Sequence, residues 1–134
     1  MRPSTLAEAY DLMISGKPPE TTLSEFLDTF YLAPTPELRL ACLQDEPRLA
    51  GDARLDALAG AVAEYLAKQY RLPCVPDWAF EPCRYLDRAW HASRFADDGM
   101  REYLTFASPA EFRSRNIFTE ERPLRRARSG LARG

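Results

Sequence analysis

The chain has 134 residues, of which 46% are hydrophobic and 28% charged, and its formal net charge at pH 7 is −2. This balance is typical of one ordinary globular domain and excludes a chain that is disordered throughout. No apolar run approaches the about 20 residues that a membrane helix needs. The N-terminal stretch lacks the apolar segment of a signal peptide, so we expect a cytoplasmic protein that does not bind a membrane.

Two capping boxes predict the first two helices. In each box a threonine is followed three residues later by a glutamate, so that their side chains satisfy exposed backbone N–H groups: Thr5 with Glu8, and Thr22 with Glu25. After the second box, one apolar stripe recurs at helical spacing. Its members are Leu23, Phe26, Leu27, Phe30 and Tyr31.

Two further helices complete a predicted helical body over residues 1–71. Thr35 precedes Pro36, which is a cap followed by proline at the first helical position. Asp52 is the predicted N-cap of the longest helix, over residues 53–71. Gly60 and several alanines in this helix leave narrow places where a neighbouring element can approach closely.

Residues 72–99 form a predicted crossover in which prolines alternate with large aromatic residues. The pattern fits either an irregular segment or short helical turns anchored by aromatic side chains. Each such side chain can bury about 150–250 Å², so we expect the crossover to wrap onto the helical body. Tryptophan, tyrosine and arginine are also the residues most common in interface hot spots. We therefore predict a partner-binding surface that includes Trp78, Tyr85, Trp90, His91 and Arg94.

The last part of the chain, residues 100–128, is predicted to contain C-terminal helices and a basic tail. A helix is expected near residues 100–106. Ser108, Pro109 and Glu111 then form a third capping box, with Phe112 facing inward. Asn116 suits the left-handed position that ends a helix. Arg113 and Arg115 complete the predicted partner surface. Residues 129–134 are expected to be disordered.

Charge is unevenly distributed, with an acidic excess in the first 70 residues and a basic excess in the rest. Much of the basic excess comes from Arg122, Arg125, Arg126 and Arg128. Arginine makes two-bond contacts with phosphate or carboxylate, so this cluster can bind nucleic acid or an acidic protein. It can equally be solvated or pair with the acidic half of the same chain.

No catalytic or metal-binding motif is present in the sequence. His91 is the single histidine, and a lone histidine beside Trp90 is more often packed than a general base. Cys74 and Cys83 do not have a zinc-finger spacing, and the odd number of cysteines argues against a disulfide framework. We predict a non-enzymatic protein with no metal ion and no cofactor, and an enzyme centred on His91 is the remaining alternative.

The stretches VPDWAFEPCRYLDRAW (75–90) and SPAEFRSRNIFTEERPLRRAR (108–128) carry a recognisable pattern. It resembles a C-terminal module of small, poorly characterised bacterial proteins, with the motif Ser-Pro-x-x-Phe-Arg-x-Arg-Asn-Ile-Phe and a closing Leu-x-Arg-Ala. In some of those proteins the module follows a helix-turn-helix domain, which this sequence lacks. In others the gene neighbours a nucleotidyltransferase-like protein of toxin–antitoxin type. The matching positions are Trp78, Trp90, Ser108, Pro109, Phe112, Arg113, Arg115, Asn116, Ile117, Phe118, Leu124, Arg126 and Ala127.

These observations predict a single compact all-α domain of about five to seven helices, with an aromatic and proline-rich irregular crossover. The predicted function is a non-enzymatic protein-interaction module, antitoxin-like or regulatory. The resemblance implies that its partner is a nucleotidyltransferase-like toxin. The alternative is a nucleic-acid-binding accessory protein that uses the four tail arginines, and a homo-oligomer is left open.

Overall fold

The computed structural model describes residues 3–91 and 108–119. These residues are mostly helical, which confirms the all-α prediction. The elements are helices α1 (Leu6–Ile14), α2 (Pro19–Leu32), α3 (Pro36–Gln44) and α4 (Ala53–Gln69), 3-10 turns over Asp77–Phe80 and Pro82–Arg84, strand β1 (Trp90–His91), helix α5 (Ala110–Arg113) and strand β2 (Ile117–Phe118). Within the described ranges, no helix is both long and apolar enough to cross a membrane.

Several predictions concern positions outside the described residues. They are the helix over residues 100–106, the disorder of residues 129–134, Arg94, and the tail arginines Arg122, Arg125, Arg126 and Arg128.

Helices α1, α3 and α4 begin at the predicted caps. The side chains of Thr5, Thr35 and Asp52 each accept a hydrogen bond from a backbone N–H of the first turn, at distances between 2.9 and 3.3 Å. The predicted cap of α2 is wrong, because the cap position is Pro18, four residues before Thr22, and the helix begins at Pro19. Proline fits the first turn of a helix, and the Thr22 hydroxyl instead donates to the carbonyl of Pro18 at 2.7 Å.

The predicted capping box at Ser108 is also wrong. Helix α5 begins after Pro109 without a side-chain cap. The Ser108 hydroxyl instead accepts from the backbone N–H of Thr119 at 2.8 Å and donates to the carbonyl of the same residue at 2.9 Å. Because Thr119 is buried, its backbone groups need such partners. Ser108 thereby holds the two ends of the 108–119 segment together.

The first core cluster joins α1, α2, α3 and one face of α4. Its large, fully buried side chains include Leu6, Tyr10, Phe26, Phe30, Leu43, Val62 and Leu66. The Tyr10 hydroxyl donates to the carbonyl of Leu55 at 2.5 Å, and burial raises the pKa of this phenol. Trp78 also enters the cluster, where its Nε1 donates to the carbonyl of Leu43 at 3.0 Å. The described part of the crossover therefore contains short helical turns anchored by an aromatic side chain.

A second, smaller cluster lies on the opposite face of α4. Ala57 and Ala61 pack there against Phe112 and Ile117. Phe112 faces inward as predicted, and Asn116 has the predicted left-handed conformation, with φ of 64°. Helix α4 thus lies between two clusters, and its alanines allow close approach on both faces.

Strands β1 and β2 pair in parallel, which the sequence did not predict. Trp90 is opposite Ile117 and His91 is opposite Phe118, and the backbone N–H of Trp90 donates to the carbonyl of Asn116 at 2.8 Å. Two residues are too few for strand alternation to be visible in a sequence. The pairing fastens the crossover to the C-terminal segment.

At Gly60, both 3-10 turns and the C-terminal segment approach α4 closely. A Cβ atom at Gly60 would lie 2.8 Å from the Cβ of Arg84, 2.9 Å from the carbonyl oxygen of Ala79 and 3.0 Å from the Nε of Arg115. The narrow place predicted in this helix is therefore filled by two arginine side chains and a backbone carbonyl.

The variant Gly60→Ala is expected to lower the free energy of unfolding by about 1–3 kcal/mol, because the new methyl group meets a backbone carbonyl that has little room to move. At an exposed helix position the same change stabilises by about 1 kcal/mol, so the sign of the effect is informative. Urea unfolding followed by circular dichroism measures it. An unchanged or raised unfolding midpoint would contradict the close approach at Gly60.

Candidate functional site

Two arginines, Arg84 and Arg115, are fully buried beside Gly60. For Arg115, one Nη atom donates to the Glu64 carboxylate at 2.6 Å and to the carbonyl of Glu111 at 2.8 Å. The other Nη atom donates to the carbonyl of Ala79 at 2.7 Å. These partners replace water around the charge, so Arg115 is a structural residue of the interior.

Arg84, which also lies beside Gly60, is held in a similar way. One Nη atom donates to the Glu46 carboxylate at 3.1 Å and to the carbonyl of Pro47 at 2.7 Å. Its guanidinium also lies over the Trp78 ring, 5.0 Å from the centroid. The crossover is therefore fixed to the loop that precedes α4.

Two residues of the predicted partner surface do not lie at the surface of the domain. Trp78 and Arg115 are buried within the domain. The indole N–H of Trp78 donates to the carbonyl of Leu43 inside the first cluster, and the guanidinium of Arg115 donates to the Glu64 carboxylate. Tyr85 is half-buried, with the Arg115 guanidinium 4.5 Å from its ring centroid. Arg113 is exposed at the end of α5.

The carboxylates that pair with the buried arginines are shifted toward their charged forms. Burial alone would raise the pKa of Glu64, but hydrogen bonds from Lys68 and Arg115 outweigh it and hold the pKa below its ordinary value. A hydrogen bond with Glu81, followed by the contact with Arg84, lowers the pKa of Glu46. The same hydrogen bond raises the pKa of Glu81, so on acidification Glu81 takes a proton before Glu46 does.

The variant Glu64→Gln is expected to cost about 3–5 kcal/mol of unfolding free energy at neutral pH, because it leaves the Arg115 charge buried without a carboxylate. The folded-state pKa of Glu64 is lowered, so its contribution is present above its unfolded-state pKa and is lost as the pH falls through the folded-state value. The difference between wild type and variant should therefore narrow below about pH 4.

Urea unfolding of both proteins between about pH 3 and pH 7 tests this dependence. Glu37→Gln is the matched control, since Glu37 is exposed on α3 and forms no ion pair in the described part of the chain. A Glu64→Gln deficit that stays constant over the whole pH range would contradict the proposed pairing.

Two further members of the predicted surface, Trp90 and His91, lie in strand β1 of the β1–β2 pair. Trp90 is half-buried, with the guanidinium of Arg54 5.4 Å from its ring centroid. His91 stacks on Phe118 with ring centroids 5.2 Å apart and planes inclined by 25°. We name Arg54, Trp90, His91 and Phe118 the aromatic edge.

Alternation along a strand gives the aromatic edge two sides. Trp90 and its partner Ile117 face α4, where Trp90 packs against the second cluster. His91 and Phe118 lie on the opposite side of the strand pair. The edge therefore has a fixed inner side and a half-buried outer side.

Two members of the aromatic edge were not in the predicted surface. Phe118 belongs to the quoted C-terminal motif, and this was a usable signal. Arg54 lies 36 positions before Trp90 on another element, and nothing in its local sequence indicates the contact. Among the residues that the structure describes, no group of histidine, cysteine or acidic side chains could hold a metal ion.

In the comparisons with known proteins, no family model, no curated protein and no solved structure matches this chain. The resemblance of its C-terminal motif to a bacterial module therefore stays a prediction.

Proposed function

We propose that this protein is a non-enzymatic protein-interaction module, an antitoxin-like or regulatory partner of another protein, and that it docks through the aromatic edge. The single observation that supports this proposal most directly is the half-buried Trp90, which carries the guanidinium of Arg54 over its ring. Tryptophan and arginine are the residue types that most often dominate interface energetics.

The aromatic edge is held in place before any partner arrives. The backbone of Trp90 is bonded to Asn116, and its ring packs against the second cluster. His91 and Phe118 are each fixed by strand pairing as well as by stacking on each other. A surface that is already ordered loses little side-chain entropy on binding, and this favours affinity.

The resemblance of the C-terminal motif suggests the form that the partner takes. The resemblance implies a nucleotidyltransferase-like toxin, and we propose this class of protein as the partner. Nucleic-acid binding rests on four tail arginines outside the described residues, so no structural observation favours it.

The variant Trp90→Ala is expected to weaken partner binding by at least about tenfold, since truncation of a hot-spot tryptophan commonly costs 2 kcal/mol or more. The measurement is a quantitative pull-down from native lysate with tagged wild-type and variant proteins, after nuclease treatment, read by mass spectrometry. Leu49→Ala is the control, because Leu49 is an exposed apolar side chain in the loop before α4.

One stoichiometric protein retained by wild type and by Leu49→Ala, but lost by Trp90→Ala, would support the proposal. Its sequence would show whether it is a nucleotidyltransferase-like toxin. Capture of nucleic acid alone, lost with nuclease, would contradict the proposal. So would a protein partner that Trp90→Ala retains as well as wild type does.

A further inference from the structure

The turn between α2 and α3 exposes two leucines. Leu32, the last residue of α2, is 73% exposed, and Leu38 in α3 is 51% exposed. The core does not account for either side chain. Isolated exposed leucines are ordinary, but here they flank a cluster of aromatic and cationic side chains.

Arg39 is at the centre of that cluster. Its guanidinium lies 4.6 Å from the ring centroid of Tyr70, and its Nη2 donates to the carbonyl of Tyr31 at 3.1 Å. The rings of Tyr31 and Tyr70 are 5.8 Å apart. No carboxylate in the described part of the chain pairs with Arg39, and its buried Nε has no hydrogen-bond partner there.

Arg71 follows directly after Tyr70 and has a strained backbone, with φ of 53°. Its N–H donates to the carbonyl of Lys68 at 3.2 Å, and the N–H of Leu72 donates to that of Ala67 at 2.8 Å. This is the helix-ending motif in which glycine is the usual residue, because glycine has no Cβ to clash in the left-handed region. The Arg71 side chain is exposed and forms no ion pair within the described residues.

We propose that this surface, the α2–α3 corner, is a second docking site, distinct from the aromatic edge. We define it by Tyr31, Leu32, Leu38, Arg39, Tyr70 and Arg71. Its occupant is an amphipathic acidic segment of a protein partner. The apolar side chains of that segment cover Leu32 and Leu38, and its carboxylates pair with Arg39 and Arg71.

Charge complementarity selects this occupant. The first 70 residues carry an acidic excess, yet Arg39 among them and the adjoining Arg71 have no carboxylate partner in the described residues. Glu37 lies next to Leu38 in sequence and repels other carboxylates. The carboxylates of the bound segment are therefore expected to lie on the side of Arg39 and Arg71. A second copy of the chain fits less well, because a two-fold interface sets each patch against itself and brings like charges together.

Two synthetic peptides of about 15 residues test the proposal. They share one leucine face, which is flanked by glutamates in the first peptide and by lysines in the second. Each is titrated into the full-length, isotope-labelled protein and followed by NMR. We expect the acidic peptide to shift the amide signals of the α2–α3 corner and to bind at least about tenfold more tightly than the basic peptide.

Two variants and one control make the test specific. We expect the double variant Leu32→Ala/Leu38→Ala to bind the acidic peptide about fivefold or more weakly than wild type does. We expect the same of the single variant Arg71→Gly. Arg71→Gly relieves backbone strain, so its melting temperature should not fall and its weaker binding cannot be ascribed to unfolding. Ile14→Ala, at an exposed apolar position at the end of α1, should bind like wild type.

Several outcomes would overturn the proposal. They are no binding of the acidic peptide up to about 1 mM, equal binding of both peptides, or signal shifts confined to other surfaces. Self-association that is lost in Leu32→Ala/Leu38→Ala would also overturn it, by assigning the corner to a second copy of the chain.

Discussion

The burial of two guanidinium groups against α4 is the constraint on which the rest of this fold depends. Removing an ion from water costs several kcal/mol unless protein groups replace the water. Here the replacements come from the loop before α4, from α4 itself, from the first 3-10 turn and from α5. Each buried arginine therefore determines where several chain segments lie. Gly60 leaves the space that lets both arginines reach their partners.

The parts of this structure that could be predicted from sequence are those determined by neighbours along the chain. Thr5, Thr35 and Asp52 cap helices through residues two or three positions away, and Asn116 adopts its left-handed conformation locally. The wrong predictions were at Thr22 and Ser108, where the hydroxyl had a choice of backbone partners. The sequence alone does not show which partner is nearest.

The candidate site was predictable in composition but not in orientation. Trp78 and Trp90 stand in similar proline-rich and aromatic surroundings, yet one is buried and the other is half-buried. The difference depends on contacts more than 30 positions away, with Leu43 for Trp78 and with Arg54 for Trp90. Such contacts form only when the helices pack, so the sequence around each tryptophan does not predict them.

The two proposed surfaces are at opposite ends of α4. Arg54 of the aromatic edge is in the first turn of this helix, and Tyr70 of the α2–α3 corner follows its last turn. A helix of 17 residues is about 25 Å long, so one partner segment of ordinary size does not need to cover both surfaces. Packing on both faces makes α4 a rigid spacer between them.

The strand pair and the Ser108 hydroxyl together tie the 108–119 segment to the crossover. His91 lies beside Phe118, and Ser108 bonds to the next residue, Thr119. Positions 91 and 108 are therefore close in space. One small hydroxyl group closes the 108–119 segment on itself, and two residues of strand pairing set that closed segment beside Trp90 and His91.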